Sequence, residues 1–360
     1  MSQIPLVDVK AQYERLIPDI LERMREVLDS GTFILGPNVH AFEEEAARQL
    51  GVPRTVSVAN GTDALVLALD ALDIGPGDEV ICPSFTFYAT AESIARRGAT
   101  PVFADIDPVT LNLDPEDVAA RVTDRTRALM PVHLFGRVMP LEGLRELGVP
   151  IVEDAAQAYG AHGVARVGEL STFSFFPTKN LFALGDGGLV AANDDELAER
   201  VKLLRFHGSR EKKNFEAVGY NSRLDELQAA VLRLFLGEIA GWNAARREAA
   251  ARYQELGLGE LCELPHDDPG HVYHMYVVRS PERDRFREAL AAAGIASASY
   301  YVVPLHLQPA LRYLGWQEGS LPETEKAAAE NLALPMWAGI PPETQERVVS
   351  TIREAAAVRA

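Results

Sequence analysis

Between residues 55 and 193 the chain alternates short apolar runs with amphipathic stretches, and this pattern limits the fold more than any other feature. Strand-like runs appear at "TVSVAN", "EVICPS", "TPVFADI", "ALMPVHLF", "PIVEDA", "TFSFF" and "GGLVAAN". Helical stretches such as "TDALVLALDALD" and "ATAESIARRG" separate the early ones. Strands that are apolar throughout, alternating with helices, predict an α/β domain on a mostly parallel sheet with both faces covered. Ligands of such sheets sit at the carboxyl ends of the strands. The stretch "NSRLDELQAAVLRLFLGEIAGWNAARREAAARYQEL" reads as one long helix, and strands and helices recur after it. This places a boundary near residue 240, with a large domain at 1–240 and a smaller one at 241–360. A chain of 360 residues is long enough for both.

The net charge of −17 argues against sequence-independent nucleic-acid binding. Two cysteines, Cys82 and Cys262, lie far apart and form no C-x-x-C, which suggests a reducing compartment. The opening "MSQIPLVDVK" has no cationic segment followed by an apolar run, and no stretch approaches the roughly 20 apolar residues of a membrane span. A cytoplasmic protein without membrane contact is expected.

Four places carry candidate chemistry. In "VANGTDALVLALD" a strand ends at Asn60, and Gly61-Thr62-Asp63 opens a helix. Exposed N–H groups and the helix dipole make such a start either a phosphate seat or an ordinary N-cap. In "PIVEDAAQAYG" two carboxylates end a very apolar strand. Alternation sends Glu153 and Asp154 to opposite faces, which weakens their reading as an acid/base pair. In "STFSFFPTKNLFALGDGG" a single lysine, Lys179, follows an apolar strand and precedes Gly185, Gly187 and Gly188. Most lysines are solvated, but an amine in a confined site loses its proton more readily and becomes a nucleophile. In "PSFTFYAT", Phe87 fits either a core position or a stacking platform.

A phosphate seat, a carboxylate and a lysine are needed together by pyridoxal phosphate, whose aldehyde bonds a lysine and whose ring nitrogen pairs with an aspartate. The ordered blocks "NGTDAL", "PSFTFYAT", "VEDAAQAYGA", "SFFPTKNLFALGDGG", "GYNSRLDELQAA" and "YYVVPLHLQPAL" resemble the DegT/DnrJ/EryC1/StrS sugar aminotransferases over nearly the whole chain. The resemblance implies the fold type I architecture of pyridoxal-phosphate enzymes: a large domain on a mostly parallel seven-stranded sheet, plus a smaller α+β domain. It implies that Lys179 is the Schiff-base lysine, that Asp154 pairs with the ring nitrogen, and that Gln157 lies near the ring or its hydroxyl. Phe87 is expected to stack on the ring. Gly61, Thr62 and Ser174 are expected to hold the phosphate, with Asn221 reaching it from a neighbouring subunit of a homodimer with shared active sites. Tyr301, His306 and Gln308 are the expected sugar contacts. L-glutamate is the implied donor, pyridoxamine phosphate the intermediate form of the cofactor, and a nucleotide-linked keto sugar the acceptor. The last two blocks resemble members acting on 3-keto sugars, such as a dTDP-3-keto-6-deoxyhexose, more than 4-keto ones.

Other readings compete. A branch of the family that aminates cyclitols or makes an aromatic ring stays open, whereas the intact set of Lys179, Asp154 and Ser174 argues against a non-catalytic cofactor-binding regulator. The dehydratase branch places histidine where this chain has Lys179. No full G-x-G-x-x-G follows a strand and no G-x-x-x-x-G-K-[ST] is present, against a dinucleotide-binding dehydrogenase or a P-loop enzyme. His266, His271 and His274 in "HDDPGHVYHMY" match no familiar metal spacing, and no metal is expected.

Overall fold

The structure is a computed structural model describing residues 3–357. The seven predicted strand regions form β1 (Arg54–Val58), β2 (Glu79–Pro83), β3 (Thr100–Ala104), β4 (Thr126–Leu129), β5 (Val152–Asp154), β6 (Leu170–Ser174) and β7 (Gly188–Ala192). Two ladders run β3-β2-β4 and β5-β6-β7-β1. Parallel bridges Leu129–Ile151 and Val132–Asp154 join them at β4 and β5. The join is closed by Leu129 N donating to the Pro150 carbonyl at 2.8 Å and Asp154 N to the Pro131 carbonyl at 2.9 Å. The result is a mostly parallel seven-stranded layer in which β7 runs against both neighbours.

That reversal has a local cause. Parallel neighbours need a crossover, usually a helix, whereas the 175–187 segment between β6 and β7 holds none. Gly188 opens β7 opposite both Val58 and Ser174. A Cβ there would lie 2.3 Å from the Asn60 carbonyl oxygen, so only glycine lets three backbones meet at this point. Because β1, β5 and β6 are parallel, their carboxyl ends lie on one edge of the sheet. That edge therefore collects Asn60 and Gly61, Asp154, and Ser174.

The stretch read as one long helix is two, Glu226–Leu236 and Ile239–Glu255, interrupted at Gly237 and Glu238. Glycine at this point weakens the helix enough for the chain to re-aim. Ile239 and Trp242 pack into the core beside β6 and β7. Further along the same helix, Ala249, Ala250 and Tyr253 enter a separate core with Phe286, Val348 and Ile352. This second core is built on β8 (Tyr276–Arg279) and β9 (Asn331–Leu334), which pair antiparallel. Ile4, from the other end of the chain, joins it and bridges Ile295.

Candidate active site

The edge formed by β1, β5 and β6 opens into a cavity of about 460 Å³. Gly61, Thr62, Phe87, Asp154, Gln157, Ser174, Lys179 and Tyr301 all line it. Residues more than 200 positions apart thus converge, and each is placed by an identifiable device.

The helix Gly61–Ala71 begins at the mouth of β1. Asn60 caps it, its Oδ1 accepting from Asp63 N at 2.8 Å. Ser222 braces the turn, donating to Asp63 at 2.6 Å and accepting from Ala59 N at 3.1 Å. The cap leaves the Gly61 and Thr62 N–H groups directed beyond the helix end, where the dipole favours an anion. A Cβ on Gly61 would meet the Ser174 Cβ at 2.6 Å, so the bare backbone keeps the Ser174 hydroxyl beside those donors.

Asp154 is 5% exposed. Thr90 Oγ1 donates to its Oδ2 at 2.9 Å, and Ala156 N to its Oδ1 at 3.2 Å. Burial pushes its pKa up; the Thr90 and Ala156 donors and the nearby Lys179 and His133 only partly offset this. A buried carboxylate in that state is short of one cationic partner. Its neighbour Glu153 faces the other way and is fully satisfied. His133 Nε2 lies 2.9 Å from it, and the N–H groups of Ala165 and Gly168 donate at 2.9 and 2.7 Å. Burial raises Glu153, but these partners outweigh it and hold the group below the usual range. Glu153 is structural.

Lys179 follows the break at Pro177 and borders the cavity. Burial drives its amine from 10.5 down to about 8, against the opposing pull of Asp154. Gln157 is oriented at both ends: its Oε1 accepts from Phe135 N at 2.7 Å, and its Nε2 donates to the Tyr301 hydroxyl at 3.2 Å. Phe87 is 59% exposed, an apolar ring facing the opening with its centroid 6.4 Å from that of Tyr301.

Three expected site residues lie elsewhere. His306 is buried outside the cavity lining, with Nδ1 2.7 Å from Ser84 Oγ and Nε2 3.1 Å from Glu325. Both ring nitrogens are engaged within this chain, away from the cavity where the sugar contact was expected. Gln308 turns back to donate to the Val303 carbonyl at 3.0 Å and does not line the cavity either. Asn221 is exposed, is bonded to Arg223, and stands outside this chain's own cavity. Conversely, Thr90, Asp186, His274 and Tyr300 were not singled out as site residues. Thr86 and Thr90, four apart where the chain leaves β2 and enters the helix Ala89–Arg96, and 3.1 Å from each other, were the one legible hint.

The DegT/DnrJ/EryC1/StrS aminotransferase family model matches residues 14–353. The chain belongs to this family. As a DegT/DnrJ/EryC1/StrS aminotransferase it is similar to a pleiotropic regulatory protein of Geobacillus stearothermophilus, 47% identical over 98% of each chain. It is also similar to the dTDP-3-amino-3,4,6-trideoxy-alpha-D-glucose transaminase of Streptomyces venezuelae, 44% identical over 98% of this chain and 96% of that one. Among solved structures, S. venezuelae DesV in complex with a ketimine intermediate superposes with a TM-score of 0.96, at 44% identity over 99% of both chains.

Aminotransferases of this family carry pyridoxal phosphate, and the cavity fits it. Free N–H donors at a helix start beside a hydroxyl suit the phosphate. An under-partnered buried carboxylate suits the pyridinium nitrogen, and a partly unprotonated amine suits the aldehyde. Among the described residues no group of His, Cys, Asp and Glu is arranged to hold a metal ion. Among the described residues no helix is long and apolar enough to cross a membrane.

Proposed function

We propose that this protein moves an amino group from L-glutamate to the ring carbonyl of a nucleotide-linked 3-keto sugar, such as a dTDP-3-keto-6-deoxyhexose, in amino-sugar biosynthesis. The observation that carries the reading is end-to-end similarity to a transaminase named for a dTDP-3-amino sugar, joined to an intact Lys179, Asp154 and Gly61 constellation. Bound here, pyridoxal phosphate supplies an aldehyde for covalent capture and a ring that withdraws electrons. The chain's own groups do the rest. Gly61, Thr62 and Ser174 fix the phosphate. Asp154 keeps a proton on the ring nitrogen. Lys179 Nζ would be the group that bonds the aldehyde and, once free, would serve as the general base at the donor α-carbon. Phe87 would border the ring on the open side of the cavity, with Gln157 and Tyr301 lining the rest of the ring site.

We further read the chain as a two-fold homodimer in which the partner's Asn221 completes the phosphate seat. In support, Asn221 is exposed and stands away from its own chain's cavity, and large apolar groups (Phe33, Ile34, Phe215, Val218) are exposed on the same chain. The division at 1–240 and 241–360 has the support of the separate core around Tyr253, with Ile4 as an N-terminal contribution to it. A cytoplasmic location has the support of two buried, unpaired cysteines.

The name of the Geobacillus relative favours a second reading, a cofactor-binding regulator without turnover. One assay separates the two. Purified protein is given 2-oxoglutarate with a panel of 3-amino and 4-amino dTDP and UDP sugars, and glutamate formation is followed. Turnover of 3-amino sugars supports the reading. Turnover of 4-amino sugars alone overturns the carbon assignment, and no turnover by cofactor-loaded protein favours the regulator.

A further inference from the structure

A second cavity, of about 390 Å³, is walled by the loop 160–166 after β5 and by the helix Ile239–Glu255. Its lining carries Arg166, Arg247 and His162 and no aspartate or glutamate. In a chain with 52 acidic and 35 basic residues this is a local reversal of sign. Other cavities that hold arginines differ: Glu45 stands in the wall with Arg233, and Asp70 and Glu199 stand in the wall with Arg97 and Arg200. A cleft lined by one sign of charge focuses its field and concentrates the opposite charge.

Among the described residues, the arginines without a hydrogen bond, an ion pair or a ring contact are Arg25, Arg166, Arg247 and Arg312, and two of these share this cavity. The frame around them is already fixed. Ala165 holds a left-handed φ of 64°, which a β-carbon disfavours. It is kept there because its N–H and that of Gly168 donate to Glu153 at 2.9 and 2.7 Å, while Asn193 Nδ2 donates to the Ala165 and Gly168 carbonyls at 3.1 and 2.8 Å. Arg166 leaves this loop with Nη2 4.0 Å from where a Cβ on Gly51 would stand. The amides in the lining are engaged elsewhere. Asn243 donates to the Tyr159 carbonyl at 3.1 Å and accepts from Asn180 at 2.8 Å, and Gln49 donates to the Leu236 carbonyl and accepts from the Tyr159 hydroxyl, both at 3.2 Å. Asp268, two residues from Gly270 in the lining, is held by the Gly270 N–H at 2.8 Å and by Arg137 at 3.4 Å. The polar side chains left unengaged in the lining are the two guanidiniums and the His162 imidazole.

We propose that this cavity binds a phosphate-bearing small molecule, with Arg166 and Arg247 clamping the phosphate oxygens and His162 supplying a further donor. A guanidinium presents a rigid fork of N–H groups that matches phosphate oxygens, and it is charged at every working pH. Two of them suit a diphosphate better than a single phosphate. A loop already locked in place spends little of the binding energy on ordering itself. The cavity shares no lining residue with the active site, so it is additional to the phosphate seat at Gly61 and needs nothing from the proposed function.

The test uses the full-length protein loaded with pyridoxal phosphate, so that the seat at Gly61 is filled. Phenylglyoxal modifies accessible arginines, and the rate at each arginine is followed by mass spectrometry with and without pyrophosphate. Arg25 and Arg312, exposed and equally unpartnered but outside this cavity, are internal controls. Pyrophosphate is expected to slow modification at Arg166 and Arg247 about fivefold or more, as charge-assisted contacts would, and to leave the two controls unchanged. A parallel arm with dTDP identifies the source of the phosphate: protection at lower concentration than pyrophosphate assigns a nucleotide, and the reverse assigns inorganic diphosphate. Calorimetric titration with the better ligand is then compared between wild type and Arg166→Gln/Arg247→Gln, whose affinity is expected to fall about tenfold or more. Equal slowing at all four arginines, which is ionic screening, overturns the proposal. So does no protection at Arg166 and Arg247, or unchanged affinity in the folded double variant. The readouts need no sugar acceptor and no turnover, so failure of the aminotransferase panel would leave the proposal intact.

Discussion

Glu153 and Asp154 are consecutive on β5 and serve opposite sides of the sheet. Glu153 bonds His133 at 2.9 Å and two loop N–H groups, while Asp154 accepts from Thr90 at 2.9 Å at the cavity wall. One strand therefore carries a carboxylate for stability beside a carboxylate for chemistry, and substitution should separate the two roles.

Glu153→Gln removes the charge that holds His133 and the Ala165–Gly168 turn. Breaking a buried, multiply bonded pair should cost about 3 kcal/mol. Denaturant unfolding is expected to show that loss, with kcat per folded molecule close to wild type.

Asp154→Asn should do the reverse. Burial already opposes the charge at this site, so the neutral amide costs the fold little. Without the carboxylate the ring nitrogen loses its proton partner, and kcat is expected to fall by about 100-fold or more. Cofactor absorbance should persist, and the melting temperature should move by no more than about 2 °C.

Gly61→Ala tests the phosphate seat. The added methyl would sit 2.6 Å from the Ser174 Cβ and push the hydroxyl away from the helix start. Cofactor affinity, measured by fluorescence titration of the apo-protein, is expected to weaken roughly tenfold, equivalent to about 1.4 kcal/mol. Gly77→Ala would serve as a control outside the cavity only for general loss of fold, because its φ of 96° is itself strained for alanine.

Lys179 makes a pH prediction whose sign is the reverse of an ordinary lysine. Its folded value of about 8 lies below the ordinary 10.5, so the unfolded chain holds more protons between them. Below about 8 the buried ammonium destabilises the cofactor-free protein, and that penalty fades as pH rises through the window. Lys179→Met should therefore be more stable than wild type at pH 7, with the gap closing between pH 8 and 10. Paired denaturation curves across that range check it; a constant gap would show that the amine is not confined.

Much of this was legible in the sequence, for identifiable reasons. The strand runs were continuous apolar segments bounded by turn residues, and all seven entered the sheet. The reversal of β7 was not legible, because strand direction follows from the connection rather than from the strand. Asp154, Gly61 and Ser174 each stand at an element end, and Lys179 follows the proline break just past one, where sequence marks position well. The place of His306 was not legible, because its bonds to Ser84 and Glu325 depend on contacts 222 and 19 residues away. Thr90 was invisible for the same reason, since it serves Asp154 across 64 residues.

The central claim is covalent, and one measurement reaches it directly. Protein loaded with pyridoxal phosphate is reduced with borohydride, digested, and mapped by mass spectrometry. A phosphopyridoxyl mass on the peptide containing Lys179, absent from Lys179→Ala, is the expected result. The same mass on another lysine, or no retained cofactor after reduction, would contradict the account.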